Sequence, residues 1–102
     1  MEVVIDLQKI KSPHDFYEQL TQQVDFGAFF GRNLDAFWDI LTCWKKKILF
    51  INFSLLDDDI YEFIINIVSM INEYNLEKIK LRLRSREFIH LNIYSHDTRR
   101  LG

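Results

Sequence analysis

Apolar and polar positions change period several times along the chain, and each change marks an element. Val3, Val4, Ile5 and Leu7 form a short, largely β-branched run, the mark of a strand. In Ser12-Pro13-x-Asp15, a hydroxyl side chain takes the N-cap position, proline the first helical position and an acid the third. Phe16, Leu20 and Val24 then recur four apart, which predicts a helix over about residues 13–24. Leu34, Phe37, Trp38 and Leu41 recur at i, i+3, i+4 and i+7. They follow Asn33, whose side chain can accept a backbone N–H bond, and predict a second helix. The largely apolar run Ile48-Leu49-Phe50-Ile51-Asn52-Phe53 reads as a strand buried on both faces, as in the middle of a parallel sheet. Asp57-Asp58-Asp59 opens a third helix, where negative charge complements the N-terminal dipole. Ile60, Phe63, Ile64, Ile67, Val68 and Ile71 carry its helical spacing to about Tyr74.

Two period-2 stretches follow. Ile79, Leu81 and Leu83 alternate with Lys80, Arg82 and Arg84, the pattern of a half-buried strand. Ile89, Leu91 and Ile93 alternate with His90, Asn92 and Tyr94 and predict a further strand. Ser85-Arg86-Glu87 is too short for a parallel crossover, so that strand is expected to be antiparallel. Residues 95–102 read as a frayed polar end. The order implies an α/β fold in two or three layers: a mainly parallel three-stranded sheet flanked by helices, with an extra C-terminal antiparallel strand. One domain over residues 1–102 is expected.

Composition narrows the chemistry. A chain with 48% hydrophobic and 27% charged residues is ordinary for a globular protein. The lone Cys43 excludes an internal disulfide, and His14, His90 and His96 lack metal-ligand spacing. With Gly27, Gly31 and Gly102 as its only glycines, the chain has no glycine-rich phosphate loop, and no Ser-His-Asp or Cys-His set stands out. No cofactor is expected. The start has no signal-peptide pattern and no apolar run approaches bilayer length, so a cytoplasmic protein without membrane association is expected.

The informative segment runs from Phe29 to Trp44: Phe29-Phe30-Gly31-Arg32-Asn33-Leu34-Asp35-Ala36-Phe37-Trp38-Asp39-Ile40-Leu41-Thr42-Cys43-Trp44. Asp35, Asp39 and Thr42 project beside the apolar stripe. Asp35 is favoured by the helix dipole. Asp39 lies late in the helix, and two like charges four residues apart repel by a few tenths of a kcal/mol. Local stability therefore does not explain Asp39, whereas a cationic partner would. The plainer reading is a solvated acidic face. Against it, Phe29, Trp38 and Trp44 cannot all pack beneath one short helix, and aromatics bordering charge are what interface centres contain. Residues 1–44 hold seven acidic and three basic side chains, a balance of −4, while residues 45–102 hold eight and ten. The acidic half carries the segment and suits a basic partner such as a nucleic-acid enzyme. An acid/base pair of Asp35 and Asp39 would need a desolvated cleft, which one turn of exposed helix does not offer, so no enzyme is expected. Arg82, Arg84, Arg86, Arg99 and Arg100 open an alternative, a nucleic-acid-binding or regulatory module. The net charge of −2 and the lack of interleaved aromatics weigh against direct nucleic-acid binding.

The segment resembles the signature of the barstar family, small intracellular inhibitors of microbial ribonucleases such as barnase. The family pattern, aromatic-aromatic-Gly-x-Asn-Leu-Asp-Ala-hydrophobic-Trp-Asp-x-Leu-Thr-x-Trp, is matched from Phe29 to Trp44 without a gap. The looser likeness covers roughly the first 80 residues. The resemblance implies a three-stranded parallel sheet with helices around it. It also implies insertion of the motif helix and its preceding loop into a nuclease active site. Asp39 would stand where the substrate phosphate sits, with Asp35 as a second carboxylate at the cationic rim. Phe29 would stack on a catalytic histidine, from the place of the family's tyrosine. Phe30, Arg32, Asn33, Trp38, Thr42, Cys43 and Trp44 would complete the contact. The chain departs from the pattern at Arg32, commonly acidic, and at Cys43, usually glycine. The family's glutamate contact from the last long helix has Met70 as its nearest counterpart, and the space between Phe53 and Asp57 is too small for the family's additional short helix. The expected partner is a basic microbial ribonuclease or nuclease toxin, bound by a protein that is a monomer before complex formation and would act as an immunity protein.

Overall fold

The computed structural model describes residues 2–25, 31–43, 47–82 and 88–97. Strand β1 (Glu2–Asp6) leads through a single 3₁₀ turn, Leu7–Lys9, into helix α1 (Pro13–Gln23). Helix α2 (Leu34–Cys43) and strand β2 (Lys47–Ile51) follow. Two 3₁₀ turns, Phe53–Leu55 and Asp58–Ile60, precede the long helix α3 (Tyr61–Lys80), and strand β3 is His90–Ile93. Among the described residues the sheet has three strands in the order β1-β2-β3, all parallel. The expected three-stranded parallel α/β fold is the one the chain adopts.

Two details of the expected C-terminal half are corrected. The stretch that alternates from Ile79 is not a strand there: α3 runs on to Lys80 and ends in a turn at Leu81 and Arg82. Residues 75–80 hold no glycine or proline, and Lys78 and Lys80 in the last turn complement the negative end of the dipole, so nothing stops the helix at Tyr74. Ile79 and Leu81 are 56% and 66% exposed, so their alternation with lysine and arginine marks no buried strand face. Leu83 and Arg84 lie outside the described residues. With the helix occupying this stretch, the segment around Leu91 is the third strand rather than an extra one. It pairs with β2 in parallel, Ile48 opposite Leu91 and Phe50 opposite Ile93, because α3 itself is the crossover that returns the chain.

Packing follows the apolar periods. Val3 and Ile5 lie in register with Ile48 and Phe50, and this sheet face meets Phe16, Phe37, Ile64, Ile67 and Ile71 in one buried cluster. Phe16 joins the elements: its ring meets those of Tyr17, Phe37, Phe50 and Phe63 edge-on, with centroids 5.2, 5.7, 6.5 and 5.7 Å away. Such pairs add about 0.5–1.5 kcal/mol each beyond burial. Leu49 and Ile51 are buried as well, so β2 is covered on both faces, as its unbroken apolar run predicts.

Helix α1 also closes the outer edge of β1. Gln19 Oε1 accepts from the Asp6 N–H at 2.7 Å, and Gln19 Nε2 donates to the Asp6 carbonyl at 2.9 Å. One turn on, Gln23 Oε1 accepts from the Val4 N–H at 2.8 Å and its Nε2 donates to the Val4 carbonyl at 2.6 Å. Two side-chain amides thus stand in for a fourth strand and satisfy backbone groups that would otherwise invite another chain. At the other side of the sheet, Asn75 of α3 makes the same paired bonds to Ile89, at 2.8 and 2.9 Å, just before β3. No helix among the described residues is long and apolar enough to cross a membrane.

Candidate functional site

Helix α2 begins where the sequence places its cap. Asn33 Oδ1 accepts from the Ala36 N–H at 2.8 Å, and Asn33 Nδ2 reaches back to the Gly31 carbonyl at 3.0 Å. Gly31 keeps this turn uncrowded: a Cβ there would lie 3.1 Å from Asn33 Nδ2 and 3.3 Å from the Ala36 methyl, closer than ordinary contact. The left-handed residue of this turn is Arg32, with φ of 47°, a conformation that costs a non-glycine residue about 1 kcal/mol or more and needs support from its surroundings. That support comes from α1, where the Glu18 carboxylate accepts a hydrogen bond from Arg32 Nη1 in an ion pair. The hydrogen bond from Arg32, reinforced by its positive charge, holds the Glu18 carboxyl below its ordinary pKa.

From that start the helix sorts its residues by face. Phe37 and Leu41 are fully buried and fasten α2 to the core, each side chain worth about 1.5–3 kcal/mol of burial. Asp35 and Asp39 are exposed on another side. Trp38 lies between the two: its ring packs edge-on against Tyr74, with centroids 6.0 Å apart and planes at 77°, and leaves the indole half-exposed. Lys78 Nζ lies 4.9 Å from the centre of the same Tyr74 ring.

Two grooves among the described residues border the helix. One, of about 320 Å³, is lined by Trp38 of α2 and by Glu73, Leu76, Glu77 and Lys80 of α3. The other, of about 510 Å³, lies at the start of α2 between Pro13, Tyr17, Arg32, Asn33, Leu34, Asp35 and Phe63. The first adds two carboxylates that lie outside the motif. Glu73 and Glu77 are exposed, one turn apart on α3, and border the Trp38 ring. Met70, the nearest counterpart of the family's glutamate contact, is half-buried and packs on the core. Glu73 and Glu77 were legible only as polar positions of an amphipathic helix; which helix face meets Trp38 depends on the packing of α2 on α3.

Of the residues singled out in the sequence, Arg32, Asn33 and Asp35 line one groove, Trp38 lines the other, and Asp39 is exposed on α2. Phe29, Phe30 and Trp44 lie outside the described residues. Thr42 and Cys43 belong to the last turn of α2, and their side chains lie outside the description. Of the C-terminal arginines, Arg82 is exposed in the turn after α3, and Arg84, Arg86, Arg99 and Arg100 lie outside the described residues. Among the described residues no group of three or more histidine, cysteine, aspartate or glutamate side chains could hold a metal ion. Exposed carboxylates on a helix whose opposite face is locked in the core suit recognition of a cationic surface.

A small parallel-sheet α/β protein with an acidic, aromatic-bordered second helix is a recognisable class. The chain belongs to the barstar family: the family model Barstar (barnase inhibitor) matches residues 1–84. It is also similar to a protein of Bacillus subtilis (strain 168) named "Putative ribonuclease inhibitor YrdF", with 37% identity over 43 residues. That similarity spans 42% of this chain and about half (47%) of the relative. No solved structure matches the chain. Strand β3 lies beyond the residues that the family model matches.

Proposed function

We propose that this chain inhibits a basic microbial ribonuclease or nuclease toxin by seating α2 in the nuclease active site. The observation that carries the reading is the division of α2 into a buried face, Phe37 and Leu41, and an exposed acidic one, Asp35 and Asp39. A rigid anionic helix offers fixed negative charge to a cleft built to bind phosphates. Asp39 takes the place of the substrate phosphate and Asp35 meets the cationic rim. Phe29 stacks on the catalytic histidine, and Phe30, Arg32, Asn33, Trp38, Thr42, Cys43 and Trp44 complete the contact. The groove between Trp38, Glu73 and Glu77 suits a basic side chain with an apolar stem, which lies along the indole while its charge meets the carboxylates. The protein acts in the cytoplasm as one domain, is monomeric before it binds, and needs neither cofactor nor catalysis of its own.

The test is inhibition. The purified protein is titrated into RNA-cleavage assays of barnase and of the neighbouring gene's product, once that product is shown to cleave RNA, at low salt and micromolar concentration. Stoichiometric loss of cleavage by the neighbouring nuclease is expected. Full cleavage with no complex on a sizing column would refute the reading.

A further inference from the structure

The ion pair that spans α1 and α2 adds a residue to this site that lies outside the motif. Resting on the reading of α2 as the docking helix, we propose that Glu18 is a positioning residue: it pins Arg32, fixes the turn that starts α2, and keeps the Arg32 charge from cancelling that of Asp35.

Glu18 precedes Arg32 by 14 residues and stands on a different helix, so their contact is a tertiary one. Its helix is immobilised from behind by Phe16 and Leu20, each 1% exposed. Arg32 sits directly before the cap residue of α2 with φ of 47°. A residue in that conformation persists only where its surroundings hold it there. Arg32 and Asp35 line the same groove, and arginine is long enough to choose between carboxylates. With Glu18 in place the guanidinium is bound on the α1 side. Without it, the carboxylate that shares the groove with Arg32 is Asp35, and an Arg32–Asp35 pair would remove negative charge from the surface that has to receive a cationic partner. The same contact explains how this chain accommodates an arginine directly before its docking helix. His14, with Nε2 3.9 Å from the Glu18 carboxylate, lies beside the pair on α1.

The experiment is a double-mutant cycle in binding kinetics. A catalytically inactive form of the neighbouring nuclease is immobilised, and wild type, Glu18→Gln, Arg32→Gln, the double variant and Asp39→Ala are passed over it at low salt and at about 1 M salt, where the screening length is only about 3 Å. Glu18→Gln is expected to dissociate roughly three- to tenfold faster at both salts. The double variant is expected to dissociate like Arg32→Gln alone, because Glu18 acts only through Arg32. Glu18→Asp is expected to restore part of the loss, and urea midpoints to fall only slightly, as for the loss of a surface ion pair. An effect of Glu18→Gln that is equal with and without Arg32, or that is confined to association and vanishes in salt, would overturn the proposal in favour of bulk charge. Wild-type kinetics for Glu18→Gln beside a crippled Asp39→Ala would overturn the proposal alone. Wild-type kinetics for Asp39→Ala would overturn the docking reading and the proposal with it.

Discussion

Replacing Asn33 by alanine removes the cap that fixes where α2 starts, and the loss can be worked from its two bonds. Oδ1 accepts the Ala36 N–H at 2.8 Å, and loss of such a cap costs about 1 kcal/mol within a range of 0.5–2. Nδ2 donates to the Gly31 carbonyl at 3.0 Å in an exposed setting, which adds about 0.5 kcal/mol. A total near 1.5 kcal/mol corresponds to a fall in Tm of roughly 6–12 °C for a chain of this size. Asn33→Asp keeps an oxygen for Ala36 and places a negative charge at the helix N-terminus, so it should retain most of the stability. The assay is urea and thermal unfolding followed by circular dichroism, with both variants beside wild type. An alanine variant that unfolds at the wild-type midpoint would refute the claim that Asn33 holds the start of the helix.

Replacing both Gln19 and Gln23 by leucine leaves the Val4 and Asp6 backbone groups without their amide partners. Stability should fall by about 2–4 kcal/mol, and sedimentation should show concentration-dependent association through the bared edge of β1. Glu18 has its pKa depressed in the folded chain by Arg32, so its contribution to stability is present above the unfolded carboxyl pKa and is lost as pH falls through the folded one. An NMR titration of the Glu18 side chain should show the depression in wild type and its disappearance in Arg32→Gln. Phe29→Ala should weaken the nuclease complex by roughly 1–3 kcal/mol, the range for interface aromatics, while Phe29→Tyr should change affinity little; isothermal titration checks both.

Most of the frame was legible in the residues because its signals are local. The N-caps of α1 and α2, the unbroken run of β2 and the i, i+3, i+4, i+7 stripe of α2 each depend on neighbours in sequence, and each stands in the fold where it was expected. In the C-terminal third the strand around Leu91 was legible but the stretch before it was not, because Ile79 and Leu81 are apolar residues left in solvent and their alternation imitates a half-buried strand. The place of α3's end then decided the direction of β3, a tertiary consequence of one misread local pattern. In the candidate site, Asp35, Trp38 and Asp39 follow from helical geometry alone. Glu18, Glu73 and Glu77 required the contacts of α1 and α3 with α2, which periodicity within one helix does not contain.

The central claim is that α2 carries the site, and Asp39 tests it most directly. Its carboxylate is exposed, so Asp39→Ala should change folding stability by less than about 1 kcal/mol, the ceiling for a surface charge interaction. In the nuclease complex the same carboxylate would be buried against several cations, and its removal would leave those charges desolvated and unpaired. The barnase–barstar pair is itself the standing illustration of such coupling, so a loss of several kcal/mol, mostly as faster dissociation, is that interface's magnitude rather than a product of this fold. The measurement pairs urea unfolding of wild type and Asp39→Ala with their binding kinetics on the neighbouring nuclease. Unchanged unfolding with dissociation faster by orders of magnitude is the predicted result. A variant that unfolds far more easily yet still inhibits like wild type would contradict the account, because Asp39 would then serve the fold and not the partner.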